Sequence, residues 1–138
     1  MKIDVDAQNE AIVAHLRHVI QDLIAVYRFG STAHGTATGE SDTDIALLAQ
    51  GQISGVQRFD IQEGLAAKIR GDVDIVDLSR ASTVMAMQVI ANGQLLYDGD
   101  AALRGQFEDL TFGAYARLNE ERRGILDRVS VEGTVYGR

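Results

Sequence analysis

The sequence predicts an α/β (α+β) fold, in which helices pack on a small mixed sheet. Short runs rich in β-branched and aromatic residues alternate along the chain with longer segments whose apolar residues recur at helical spacing. The strand-like runs all end before residue 100, and the last third of the chain has a helical pattern. Strands that alternate with helices are typical of a sheet with helices packed on it. With 138 residues, of which 46% are apolar, the chain has the size of one ordinary domain.

The first half of the chain predicts two helices and two strands. A first helix is expected over about residues 7–21, and the run "LIAVYRFG", which ends at Gly30, is expected to form a strand. The run "TDIALLA" at 43–49 predicts the second strand, and residues 55–70 predict the next helix. The apolar residues expected on one side of that helix are Val56, Phe59, Ala66 and Ile69.

The second half predicts one helix between two strands, and then a long helix. The run "VDIVDLS" at 73–79 is a third strand, and "STVMAMQVIANG" is a helix that stops at Gly93. The short run "QLLYDG" at 94–99 is extended. Apolar residues at helical spacing from Leu103 to Leu118 indicate the final helix, and the tail from Ser130 has no strong pattern.

Composition excludes several classes of protein. The chain has no cysteine, which rules out disulfides, thiolate metal sites and cysteine nucleophiles. Thirteen Lys and Arg against twenty Asp and Glu give a net charge of −7, so direct binding to nucleic acid is not expected. The apolar runs are much shorter than the roughly 20 residues of a membrane span, and the acidic start does not resemble a secretory signal. We therefore expect a soluble, cytoplasmic protein without membrane contact.

Two carboxylates stand close together in the stretch "RFGSTAHGTATGESDTDIALL", which runs from Arg28 to Leu48. Because side chains alternate along a strand, Asp42 and Asp44 are expected to point the same way, with Thr43 opposite. Like charges so close raise each other's pKa, which does not help folding. A divalent cation changes this, because it needs several oxygen ligands, and Mg²⁺ usually completes its shell with substrate phosphates.

Two further features of the sequence fit a site for a nucleotide. Gly30-Ser31 stands at a strand-to-helix turn, where a glycine and a small hydroxyl residue let backbone N–H groups approach a phosphate. Asp74 interrupts the apolar run of the third strand, and a charge at such a place needs a partner. If the third strand lies beside the second, Asp74 joins Asp42 and Asp44, and three carboxylates suit a two-metal site for nucleotidyl transfer.

The order of these residues resembles the signature of the polymerase-β-type nucleotidyltransferase superfamily. Its elements here are Gly30-Ser31, ten further residues, Asp42-Thr43-Asp44, and the later "VDIVDL". The short chain and the early motif resemble the minimal branch, the MNT or MntA-type antitoxins. The resemblance covers roughly residues 10–100. It implies a nucleotidyltransferase core at 1–100 and, at 101–138, a C-terminal helix and tail of the same domain.

The resemblance also implies roles for single residues. Asp42, Asp44 and Asp74 would be catalytic and would bind metal, two Mg²⁺ ions, with Asp74 also helping to activate the attacking hydroxyl. Gly30 and Ser31 would hold the triphosphate of ATP. Many members of the superfamily carry an arginine where this chain has His34.

The resemblance also implies a protein partner. In the MntA-type branch, AMP is transferred from ATP to a tyrosine of a HEPN-domain toxin, a ribonuclease, and we expect a hetero-oligomer with such a partner. Two alternatives remain open at this stage. One is a nucleotidyltransferase that acts on a small hydroxylated acceptor, as the aminoglycoside enzymes do, although no extra acceptor-binding region is found. The other is a non-catalytic antitoxin that acts by contact, against which the complete set of three carboxylates argues.

Overall fold

Helices and strands alternate in the structure, a computed structural model that describes residues 4–30 and 42–131, with side chains to residue 128. The helices of the described part are α1 (Val5–Val19), α2 (Gly55–Ile69), α3 (Thr83–Asn92) and α4 (Ala101–Val131). The strands of the described part are β1 (Leu23–Phe29), β2 (Thr43–Ala49), β3 (Val73–Asp77) and β4 (Gln94–Asp98). A 3₁₀ turn, Leu78–Arg80, follows β3. The predicted alternation of strands and helices is therefore confirmed.

Local hydrogen bonds explain the element ends that differ from the prediction. α1 begins two residues early, because the Asp4 carboxylate accepts a hydrogen bond from the backbone N–H of Ala7. β3 ends two residues early, because Asp77 Oδ1 accepts bonds from the backbone N–H and the hydroxyl of Ser79 and starts the 3₁₀ turn. α3 ends at Gly93 as predicted, and Ser82 caps its start.

The four strands form one sheet in the order β3-β2-β1-β4. β1 pairs antiparallel with both β2 and β4, whereas β2 and β3 are parallel and are connected through α2. The predicted mixed sheet is therefore confirmed. β3 is one edge strand of this sheet, and its backbone is partly covered by α2, since the Gln62 side chain accepts a bond from Ile75 N at 3.1 Å.

Each face of the sheet is covered by a pair of helices. On one face, buried residues of α1 and α2, such as Leu16 and Leu65, pack on Val26 and Leu47 of the central strands. On the other face, α3 and the first half of α4 cover Tyr27, among others. The sheet thus separates two apolar layers, as expected for a two-sided α/β arrangement.

The prediction of which side of α2 is buried is partly wrong. Val56 and Phe59 are 73% and 59% exposed, and the residues of α2 that are buried are Ile61 and Leu65. Because one residue advances a helix by about 100°, Val56 and Phe59 lie almost opposite to that pair. Ala66 and Ile69 do pack against the core as half-buried residues.

A polar cluster attaches α4 to the sheet. The hydroxyl of Tyr27, on β1, donates to Glu108 Oε2 at 2.7 Å, and Arg104 Nη1 donates to Glu108 Oε1 at 3.0 Å. Arg104 also forms an ion pair with Asp98 of β4 at 3.1 Å. These contacts support the expectation that residues 101–138 belong to the same domain as the core, which stays a prediction.

No helix in the described ranges is both long enough and apolar enough to cross a membrane.

Candidate active site

The pairing of β2 with β3 brings the predicted site residues together. In this parallel pair Asp44 is the direct partner of Asp74, so the two side chains leave the sheet on the same face. Asp44 is half-buried, whereas Asp74 is exposed. Asp42 is exposed and lies one residue before β2, on the Asp44 side of the strand. The expectation that the third strand lies beside the second is confirmed.

The charges of the two neighbouring carboxylates act on Asp44. The pKa of Asp44 is raised, first by its burial, then by the negative charge of Asp74, and then by that of Asp42. In the described part of the chain, no lysine, arginine or histidine forms an ion pair with these carboxylates. The site therefore stabilises a positive charge placed between these groups, or a proton on Asp44.

The place of Gly30 next to Asp44 explains why a glycine stands there. Phe29, the residue before it, is the β1 partner of Asp44, and Gly30 has a φ of +77°, which glycine adopts without strain. A Cβ atom at Gly30 would overlap Asp44 Oδ2. Gly30 thus keeps the backbone close to a carboxylate of the site. Ser31, His34 and the rest of 31–41 lie outside the described residues, so the predicted role of Ser31 stays a prediction.

The three carboxylates are suitable ligands for a hard divalent cation, but their side chains are not arranged as a complete metal site. Carboxylate oxygens are the ligands that Mg²⁺ prefers, and Asp44 lies next to two other carboxylates. Within the described ranges, however, no three acidic, histidine or cysteine side chains are placed to hold one ion together. Metal binding by Asp42, Asp44 and Asp74 therefore stays a prediction, and it requires their side chains to turn toward a common ion.

Arg28 is a residue near the site whose role the sequence interpretation missed. This arginine on β1 is only 1% exposed, and its guanidinium donates to Asn9 Oδ1 and to Gln8 Oε1, both at 2.7 Å. Burial lowers its pKa. It joins α1 to the strand that ends at Gly30. An arginine inside the apolar run "LIAVYRF" was the available signal, because a charge in a buried strand needs partners.

Two further aspartates, Asp72 and Asp77, lie near Asp74 in the sequence and differ in exposure. Asp77 is half-buried and caps the 3₁₀ turn through Oδ1. Asp72 is exposed.

Comparisons with known proteins agree with this geometry. The family model described as "Polymerase beta, Nucleotidyltransferase" matches residues 10–102. The protein adenylyltransferase MntA of Shewanella oneidensis is 38% identical over 118 residues, which cover 86% of this chain and 84% of that protein.

Several solved structures that are similar to this chain are toxin–antitoxin complexes. A crystal structure of a toxin–antitoxin with AMP-PNP is 36% identical, with a TM-score of 0.78, and the match covers 88% of this chain and 98% of the other. A tri-AMPylated Shewanella oneidensis HEPN toxin in complex with an MNT antitoxin gives 33% identity and a TM-score of 0.75 over 91% and 98% of the two chains.

The fold, the pairing of Asp44 with Asp74 and the place of Gly30 beside Asp44 together define a nucleotidyltransferase of the polymerase-β type. The chain belongs to this family and, within it, to the MntA-type minimal nucleotidyltransferases.

Proposed function

We propose that this protein is an antitoxin that transfers AMP from ATP to a tyrosine of a HEPN-type toxin and so neutralises the toxin. The observation that carries the proposal is the direct pairing of Asp44 with Asp74, with Gly30 against Asp44. Support comes from the similar protein named an adenylyltransferase and from the similar complex that holds a tri-AMPylated HEPN toxin. The similar complex with AMP-PNP, an ATP analogue, supports ATP as the donor.

The reaction needs a base, a bound triphosphate and neutralised charge. The tyrosine oxygen attacks the α-phosphorus of ATP, a new O–P bond forms, and the bond from that phosphorus to the pyrophosphate oxygen breaks. Because a tyrosine hydroxyl has a pKa of about 10, its proton has to be accepted, and the exposed carboxylate of Asp74 is the base that we assign.

The remaining roles fall on the residues at the ends of β1 and β2. Gly30 and Ser31 are assigned to the triphosphate, since a glycine with positive φ can bring backbone N–H groups toward phosphate oxygens. Asp42, Asp44 and Asp74 are assigned to Mg²⁺, with two ions as the proposed number. When bound, these ions neutralise the carboxylates and the developing charge on the phosphate.

Modification would silence the toxin by charge and bulk. Each AMP adds a negative phosphate, which opposes the approach of RNA to a nearby binding surface. We place this reaction in the cytoplasm, where ATP and an RNA-cleaving partner meet.

The test is the intact mass of the partner. The purified HEPN-type protein is mixed with this protein and Mg-ATP, and its mass is recorded over time. We expect a gain equal to one or more AMP groups. The variant with Asp42→Asn and Asp44→Asn should fold and lose at least about 100-fold in transfer rate, because it lacks two of the carboxylates assigned to Mg²⁺, whose charge neutralises the phosphates. Asp72→Asn is the matched control, since its exposed side chain lies two residues from Asp74, and it should keep the wild-type rate.

Two results would favour other functions. A partner that is fully inhibited but unmodified would indicate an antitoxin that acts by contact alone. AMP transfer to a small hydroxylated compound, with none to the partner, would indicate the aminoglycoside type of acceptor.

A further inference from the structure

A cavity of about 430 Å³ lies along the outer edge of β3, and Asp74 forms part of its wall. The sheet order places Asp44 and Gly30 on the other side of Asp74, on the inner strands. If ATP lies over Gly30 and Asp44, this cavity is on the acceptor side of Asp74. Its volume lies within the range of sites that hold small ligands.

Two arginines give the cavity anion-binding chemistry. Arg58 of α2 and Arg80 of the 3₁₀ turn both line it. Arg58 Nη1 donates to the backbone oxygen of Ile75, and Arg80 Nη2 donates to Gln52 Oε1, both over a long 3.4 Å. Neither arginine forms an ion pair with any carboxylate among the described residues. A guanidinium that has only weak neutral partners is well suited to bind a phosphate.

The start of α2 adds to this positive potential. Gly55, the first residue of the helix, lines the cavity, and the space where its Cβ would stand is open. Ser54 Oγ caps the backbone N–H of Gln57, while the N–H of Gly55 has no partner within residues 4–30 and 42–131. A helix of 15 residues places a partial positive charge at this end.

We propose that this cavity holds the AMP group that an earlier transfer has attached to the acceptor. Arg58, Arg80 and the start of α2 bind its phosphodiester. The inference rests on the proposed function, and it explains how the same site can act on an acceptor that already carries AMP. In the similar complex, the HEPN toxin carries three such groups.

The position of Asp74 in the cavity wall gives the second transfer its chemistry. A ribose hydroxyl of the attached AMP attacks the α-phosphorus of a second ATP. A new O–P bond forms, the bond to the pyrophosphate oxygen breaks, and the proton of the hydroxyl passes to Asp74. As in the first transfer, one pyrophosphate is released.

The experiment compares successive transfers. The full-length protein, its Arg58→Gln and Arg80→Gln variants and the double variant are mixed with the HEPN-type partner and Mg-ATP, and intact masses separate the products with one, two and three AMP groups. We expect the ratio of the second rate to the first to fall at least about tenfold in the double variant, because two charge-assisted contacts are lost. Lys68→Gln, an exposed charge on the same helix, is the matched control and should leave that ratio unchanged.

Three outcomes would overturn the inference. One is an unchanged ratio in the double variant, and another is a wild-type reaction that stops after one AMP. The third is an equal fall in all transfers with a higher KM for ATP, which would assign the arginines to the phosphates of ATP itself.

If no AMP transfer at all is seen, that result counts against the proposed function alone. A binding measurement then tests the inference about the cavity. The phenyl ester of AMP mimics a modified tyrosine, and its affinity for the protein is measured by titration calorimetry. We expect the double variant to bind it at least about tenfold more weakly than the wild type. Equal affinities, or no binding to the wild type, would overturn the inference.

Discussion

Asp44 shows at the level of one residue how this fold keeps a feature that does not favour stability. Its carboxylate is half-buried, is paired with Asp74 and has its pKa raised by burial and by like charge. The glycine beside it avoids a steric overlap that any other residue would cause. A residue that costs stability and is nonetheless closely accommodated indicates a function for its charge.

This leads to a prediction about stability and pH. Because the folded pKa of Asp44 is raised, the stability that its protonated form contributes is present below the ordinary value of 3.8 and is lost as the pH rises through the raised pKa. In the absence of divalent cations, Asp44→Asn should therefore raise the Tm at pH 7 by about 2–4 °C, and the gain should shrink toward pH 4. Scanning calorimetry of both proteins over this pH range measures it.

The same two proteins test metal binding. Millimolar Mg²⁺ should raise the Tm of the wild type, because it binds the folded state, and it should leave Asp44→Asn nearly unchanged. Asp72→Asn is the control and should respond to Mg²⁺ as the wild type does. An equal response of wild type and Asp44→Asn would contradict the assignment of this carboxylate to the metal.

At the level of elements, α4 is attached to the sheet by a small number of polar contacts. Leu103 and Phe107 pack on the α3 side of the sheet, and Tyr27 donates to Glu108. Tyr27 is only 2% exposed, and burial, together with the bond to Glu108, raises its pKa above its usual range. The hydroxyl therefore keeps its proton and donates at neutral pH.

We expect Tyr27→Phe to lower the free energy of unfolding by about 1–3 kcal/mol, because a bond to a charged acceptor is lost and Glu108 keeps only Arg104. Urea titration followed by circular dichroism measures the change. Tyr115→Phe, on α4 itself, is the matched control, since the Tyr115 hydroxyl has no hydrogen-bond partner among the described residues, and its cost should stay below about 0.5 kcal/mol. Equal costs for the two variants would show that the Tyr27 hydroxyl does not stabilise the fold.

At the scale of the whole molecule, the second half of α4 extends beyond the sheet. From residue 120 to residue 128 every side chain is exposed, including two apolar ones, Ile125 and Leu126, at 49% and 66%. Acidic and basic residues make the rest of this segment a solvated helix face. Apolar side chains on such a helix suit contact with a helical protein partner.

We therefore expect the double variant Ile125→Ser and Leu126→Ser to weaken the complex with the HEPN-type partner about tenfold or more without changing the Tm by more than about 1 °C, since both side chains are exposed. Size-exclusion chromatography and titration calorimetry measure the complex, and Arg122→Ser with Arg123→Ser serves as control in the same segment. Undiminished affinity in the Ile125 and Leu126 variant would place the partner elsewhere.

The sequence by itself determined the elements and the residue types of the site. The β-branched runs and helical spacings predicted each strand and the first three helices to within about two residues, because side-chain period is a local property. The apolar spacing from Leu103 to Leu118 indicated the last helix but not its end, which lies at Val131. The spacing of Gly30, Asp42 and Asp44 likewise indicated the chemistry, since these residues lie close together in the sequence.

Only the tertiary structure decided which distant groups meet. That Asp74 stands opposite Asp44 depends on the parallel pairing of β2 with β3, which no local pattern specifies. The cavity with Arg58 and Arg80, and the bond from Tyr27 to Glu108, join segments far apart in the chain. The inward side of α2 was also mispredicted at Val56 and Phe59, because a helix with apolar residues on more than one side is oriented by the surface it packs against.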